Sequence, residues 1–266
     1  MVERLVPDEL WELFQRVVPE APSRPQGGGR RRRGDREVLA AIVFVATSGC
    51  TWQQQLPSAS FGPSGGTAHR RFAEWTKVRV WAKLHRLVLD ELGARGELDW
   101  SRCAIDSVNM RALKEGGLTG PNPVDRGKYG SKIHLIMERT GLPLSGISGA
   151  NLHDSQALTP LEKGIPPIRS RRGRRRRRPG KLHADKGYDY DHLPHWLRGR
   201  GIRHRIARKG IESSTRLGRH RWTIERTMAW LAGCRRLHRR YERKAENFLA
   251  FTSIACTLIC YRRLTK

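Results

Sequence analysis

In PDELWELFQRVVP the apolar residues Leu10, Leu13, Phe14 and Val17 recur three and four places apart, the period of one face of an amphipathic helix. A breaker stretch follows, EAPSRPQGGGRRRRGD, which reads as a flexible basic loop suited to phosphate contact. Asp35 is then placed to cap a second helix, REVLAAIVFVATSG, closed by Gly49. TWQQQLPSASFGPSGG reads as a loop, and from Thr67 a further helical stretch carries Phe72, Trp75, Val80, Trp81, Leu84 and Leu87. Near residue 100 the period changes. RCAIDSVNMRA is a short apolar strand that ends at the acid Asp106, and KYGSKIHLIMERTGLPLSGISGAN reads as a hairpin around a Thr-Gly-Leu-Pro turn. HDSQALTPLEKG follows as a short helix with Asp154 or Ser155 near its cap. Then come a strand ending at Asp185, a helix begun by Asp189 or Asp191, the strand IRHRIARKG, and mostly helix from about Arg219 onward. This order predicts an α/β fold with a mixed sheet and flanking helices over 99–266, preceded by a small all-α region over 1–98. The basic face of that region (His69, Arg70, Arg71, Lys77, Arg79) fits either a helix-turn-helix-like DNA-binding module or an ordinary small bundle.

Charge changes the picture most. The 266 residues carry a formal charge of +27 and a pI near 11.2. Such a chain repels itself unless it meets a polyanion, and nucleic acid is the leading candidate. The arginine run 169–178 reads as a disordered DNA-contacting loop or a solvated one. No run approaches the ~18 apolar residues that span a bilayer. The opening MVERLVPDELWELF lacks the basic and apolar regions of a secretory leader, so a cytoplasmic protein is expected, associated with the nucleoid when on DNA. Five scattered cysteines with no CxxC pair argue against a disulfide framework or a zinc site; Cys256 and Cys260 sit in an apolar helical run and read as core. Trp52, Trp75, Trp222 and Trp230 read as core too.

Three acids stand where a site could form: Asp106 and Asp185 at strand ends, and Glu225 within the apolar helix RWTIERTMAWL. Each alone also reads as a cap or a surface ion pair. Together they have the oxygen ligands that hard divalent cations want, in the number that a two-metal site uses. His153 and Asp154 read as a structural cap or support.

At these residues the chain resembles the insertion-sequence transposases of the IS5 family, within the wider IS4-like DDE group. The likeness runs over nearly the whole chain, through LDWSRCAIDSVNMRA, DRGKYGSKIHLIMERTGLPL, GANLHDSQ, ADKGYDYD and RWTIERTMAWLAGCRRLHRRYER in order. The resemblance implies a ribonuclease-H-like catalytic fold and a DDE triad on Asp106, Asp185 and Glu225, with the same three residues as metal ligands. It also implies Mg2+, for which Mn2+ substitutes, and double-stranded DNA as substrate, meaning terminal inverted repeats and target, with a homodimer pairing the ends. Arg221 falls on the arginine of the family signature, whose tyrosine and lysine are here Gly218 and Ala232. Arg226, Arg235 and Arg236, with Arg70, Arg71 and Arg175, are the further candidates for DNA contact. The activity implied is metal-dependent cleavage at element ends followed by strand transfer. A catalytically inactive DNA-binding relative, or a nuclease of the same fold without strand transfer, are the alternatives.

Overall fold

A computed structural model describes residues 1–21, 32–122, 125–150, 152–211 and 218–266, the side chains of 218–221 excepted. Most of the basic Pro/Gly/Arg loop, and the side chain of Arg221, therefore lie outside the described residues. The first part of the chain forms α1 (Val2–Leu5), α2 (Asp8–Gln15), α3 (Asp35–Ser48), α4 (Ser58–Phe61), α5 (Gly65–Lys77) and α6 (Val80–Arg95). The rest forms β1 (Cys103–Arg111), β2 (Gly120–Pro121), β3 (Tyr129–Glu138), β4 (Pro143–Gly149), α7 (Asp154–Lys163), β5 (Lys181–Ala184), α8 (His192–Gly199), β6 (Arg203–Ile206), α9 (Gly218–Ala232) and α10 (Ala245–Leu264).

The sheet runs β4-β3-β1-β5-β6, with the short β2 continuing the β4 edge of β3. β3 is antiparallel to β1 and β4, whereas β5 and β6 are parallel to β1. Three antiparallel strands followed by two parallel ones form the ribonuclease-H-like sheet that the family resemblance implied. The parallel pair needs crossovers, which α7 and α8 provide. α7 packs on β3 and β4, α8 on β6, and the two touch each other; α9 meets β1, and α10 meets β4.

β1 does not stop at Asp106. Ser107 to Arg111 go on pairing with His134 to Gly130 of β3, so the acid sits within the strand and not at its end. The polar residues after Asp106 looked like a terminus only because their partners are remote in sequence.

α10 has apolar residues all round, as a helix with neighbours on every side must. Phe248, Phe251, Ile254, Cys256, Ile259 and Cys260 are buried between α6, α5, α3 and β4, in an apolar cluster continuous from α2 to the sheet. The two cysteines are core residues as expected. Cys260 Sγ lies 3.8 Å from Nε2 of His85, whose burial lowers its pKa to about 4 and keeps it neutral. No helix among the described residues is long and apolar enough to cross a membrane.

Several local expectations change. Asp35 is the first residue of α3 and makes no cap; its carboxylate pairs with Arg32 at 3.1 Å and Arg71 at 3.2 Å. Gly49 does close α3, in the left-handed conformation (φ 75°) that glycine adopts without strain. The cap of α7 is His153, whose Nδ1 accepts from the Ser155 N–H. Asp189 starts no helix, since its Oδ2 accepts from the Lys209 N–H; Asp191 precedes α8 without a side-chain cap bond.

The arginine run is an ordered loop. Ile168 pairs with Arg176, and Arg177 donates to the carbonyls of Ile165 and Lys163. Arg175 donates to the buried Asp90 at 2.7 Å, and Arg176 lies over Trp100. The loop presses close to α6 at Gly93, where a Cβ would stand 2.0 Å from the Arg169 carbonyl.

Candidate active site

β1 and β5 run parallel with Cys103 beside Leu182 and Ala104 beside His183. Carrying that register two places further brings Asp185 alongside Asp106. Ser107 turns toward α7, its Oγ donating at 3.0 Å to Asp154 Oδ1. Alternation along the strand turns Asp106 to the other face. Asp185 follows the last residue of β5, and its Oδ1 accepts from Gly187 N–H at 2.9 Å, which starts a tight turn over Lys186–Tyr188.

Both carboxyls are raised in pKa. Asp106 rises to about 6, first through burial and then through the fields of Asp185 and Asp154, against the Ser107 N–H and Lys132. Asp185 is raised first by burial and then by Asp154, with Gly187 N–H, Lys132 and Lys186 opposing. Tyr188 beside them is buried; burial and the three aspartates raise its hydroxyl above the ordinary range, so it stays protonated. A partly buried carboxylate, Asp106, beside the more exposed Asp185, both raised in pKa, is an oxygen donor set suited to a hard divalent cation, so these residues fit a metal.

The raised pKa sets a pH dependence. A folded-state carboxyl pKa above the unfolded one means the native protein holds more protons between the two values. The contribution of Asp106 to the stability of the metal-free protein therefore falls as pH rises from about 4 to about 6, against the rise that His85 and His134, both lowered to about 4, give over the same window. Asp106→Asn is expected to flatten that fall and to melt above the parent at pH 7 without metal. Melting curves of parent and variant at pH 4 and 7 check this, and a variant-minus-parent difference that does not grow from pH 4 to pH 7 would contradict it.

Asp154 reaches the pair from the α7 side. Its Oδ1 is 2.7 Å from Lys132 Nζ and 3.5 Å from His134 Nδ1, besides accepting from Ser107. His134 is fully buried, and desolvation holds its pKa to about 4, so it carries no charge there. Sequence reading missed Lys132 and His134 and gave Asp154 to helix capping. The available signal was the alternation of Lys132 and His134 on β3, which puts both on one face.

Glu225 lies mid-way along α9 on its exposed side, opposite the buried Thr223, Thr227 and Leu231. The helix is fixed to the β3–β4 turn by Thr227 Oγ1, which donates to Gly141 O at 2.8 Å, and by Arg226, which donates to Thr140 O. Among the described residues, no three His, Cys, Asp or Glu side chains stand together as one ion's ligands. The structure brings Asp106 and Asp185 together and does not close a trio with Glu225.

The arginines divide. Arg71 and Arg236 are buried, which corrects their assignment to a DNA-facing surface. Arg71 pairs with Asp35 and Glu74. Arg236 donates twice to Glu242 Oε1 (2.9 and 2.8 Å) and to the Cys50 carbonyl. Arg175 is held by Asp90. Arg70 and Arg235 are exposed, Arg70 3.9 Å from Glu74. Arg226 lies between the rings of Trp222 and Trp230, 4.5 and 4.9 Å from their centroids. Trp222 is half exposed, which sequence reading did not foresee. These residues line a hollow of about 550 Å³ together with Arg102, Arg139, Arg262 and Arg263; among the described residues its lining includes no acid.

The family described as Transposase DDE domain matches residues 100–260, and a transposase family of the IS4/5 type matches residues 6–85. The transposase assigned to insertion sequence element IS402 of Burkholderia cepacia is 46% identical over 149 residues, covering 56% of this chain and 71% of that protein. An uncharacterized 16.2 kDa protein of IS402 from the same organism is 36% identical over 124 residues, 46% of this chain and 84% of that protein. Among solved structures, the piggyBac transposase synaptic complex with hairpin DNA is similar at 11% identity and a TM-score of 0.46, covering 97% of this chain and 72% of that one. The Mos1 strand transfer complex is similar at 11% identity and a TM-score of 0.31, covering 90% and 81%.

Proposed function

The chain belongs to the DDE-domain transposases of the IS4/5 type, and from that premise we propose that Asp106, Asp185 and Glu225 form its catalytic triad. The observation that carries the reading is the nearness of Asp106 in β1 to Asp185, which directly follows the parallel strand β5, with both carboxyls raised in pKa. The protein is a DNA transposase that uses a divalent cation. We assign Mg2+, with Mn2+ as substitute, to Asp106 and Asp185, and Glu225 completes the set when DNA is bound. When bound, the ion supplies charge stabilisation for in-line phosphoryl transfer. IS5 is the subfamily that the ordered motifs favour.

Each residue has a stated part. The Gly187 N–H fixes the orientation of Asp185. α9, which meets β1 and is pinned at the β3–β4 turn, carries Glu225 on its exposed side. Arg221, Arg226 and Arg235, with the basic hollow beside α9, bind phosphates, as does Arg70 in the helical region 1–98. The catalytic region 99–266 carries out two displacements. Water opens a phosphodiester at the element end and leaves a 3′-hydroxyl; that hydroxyl then attacks a target phosphodiester and expels its 3′-oxygen. Both ends must be held at once, so a homodimer on paired terminal repeats is the working form, in the cytoplasm on nucleoid DNA.

Purified protein with Mg2+ or Mn2+ is expected to cut DNA carrying its own element ends and to join a pre-cut 3′-hydroxyl end to a second duplex. Cutting without joining would make it a nuclease. Binding with neither reaction would make it a DNA-binding relative.

A further inference from the structure

The triad leaves one group beside the acids without a role. Lys132 is mostly buried on β3, and its Nζ is 2.7 Å from Asp154 Oδ1, the same oxygen that accepts from Ser107. Asp154 is the first residue of α7, so the pair ties the helix to the sheet where Asp106 and Asp185 meet. Asp154 and Asp185 approach closely, since a Cβ on Gly187 would lie 3.0 Å from a carboxylate oxygen of each. A burial this deep is costly for a lone lysine, and Asp154 compensates it. His134, the other basic side chain at Asp154, is neutral, so Lys132 brings the positive charge.

We propose that the Lys132–Asp154 ion pair sets the charge of the Asp106–Asp185 site: Asp154 holds the ammonium where its field offsets the two carboxylates, and so fixes how tightly a divalent cation binds between them. Lys132 and Asp154 are positioning residues in this role and touch neither metal nor DNA. The inference rests on the assignment of the ion to Asp106 and Asp185. Its physical content is one of sign. Without the ammonium, Asp154 adds an uncompensated negative charge near the ion; without the Asp154 carboxylate, the ammonium repels it.

The test is titration of the full-length protein with Mn2+ alone, reading free Mn2+ by electron paramagnetic resonance, with no DNA present. Lys132→Met is expected to tighten Mn2+ binding roughly tenfold, and Asp154→Asn to weaken it roughly tenfold. The double variant should return to within about threefold of the parent, because both charges are gone together. Lys132→Arg keeps the charge and should keep the parent affinity, which serves if Lys132→Met does not fold. Affinity unchanged in both single variants overturns the proposal and leaves a purely structural pair. Weakening in Asp154→Asn that persists in the double variant also overturns it, since Asp154 would then be a ligand itself. Asp106→Asn separates the two levels of the argument. If it abolishes Mn2+ binding while the sign pattern fails, only this inference falls; if it leaves binding intact, the metal assignment falls with it.

Discussion

Asp106→Asn and Asp185→Asn are each expected to lower end cleavage and strand joining by about a thousandfold or more, because charge stabilisation by a bound ion is worth several kcal/mol and each 1.36 kcal/mol is tenfold in rate. Affinity for terminal-repeat DNA should change by less than about threefold, since the arginines proposed to bind phosphate are kept in these variants. Glu225→Gln should behave likewise. Single-turnover cleavage rates beside gel-shift affinities separate these quantities. A variant that keeps cleavage within tenfold of the parent would remove that residue from the triad.

Arg240→Met is expected to cost about 3–5 kcal/mol of stability, the largest effect foreseen away from the acids. Arg240 has no exposed surface. Its Nε donates to Glu242 O at 2.9 Å, its Nη1 to Leu118 O at 2.8 Å and Ser131 Oγ at 2.5 Å, and its Nη2 to the Gly117 carbonyl. Its guanidinium also covers the Phe248 ring at 4.9 Å. One side chain thus joins the segment between α9 and α10 to the loop after β1 and to β3. Methionine would fill much of the space and leave several buried acceptors unpaired. Arg239→Met, one residue earlier and exposed, should stay within about 0.5 kcal/mol. Urea unfolding of the two variants makes the comparison, and equal midpoints would show that the buried bonds contribute nothing net.

The periodicities of the sequence were enough to find α2, α3, the helical stretch from Thr67, the hairpin β3–β4 and the alternation of β6, because each has its apolar pattern within one segment; that the stretch divides into α5 and α6 at Val78 and the left-handed Arg79 was not read. Strand ends were harder to read. The extent of β1 past Asp106 depends on β3, more than twenty residues onward, whose partners decide that Ser107 to Arg111 stay extended. The acids Asp106 and Asp185 were visible as unusual carboxyls in a basic chain, and the structure sets one within β1 and the other directly after the parallel β5. Lys132 and Asp154 were not visible as a pair, since only the return of α7 across β3 brings them together. The arginine run misled for a related reason. Its charge pattern suggests solvation, yet Asp90 of α6, far back in the chain, anchors Arg175.

The position of α10 has a consequence for how the chain is made. α6 ends at Arg95 and α10 begins at Ala245, and they pack against each other. At ribosomal rates of roughly 5–20 residues per second, the earlier helices wait about ten to thirty seconds for the helix that covers them. Contacts so distant in sequence also form slowly after synthesis. During that interval Phe72 and Trp52, whose rings meet Phe251 of α10, lack their final cover and are open to wrong association, so the yield of native protein should depend strongly on temperature and on holdase chaperones.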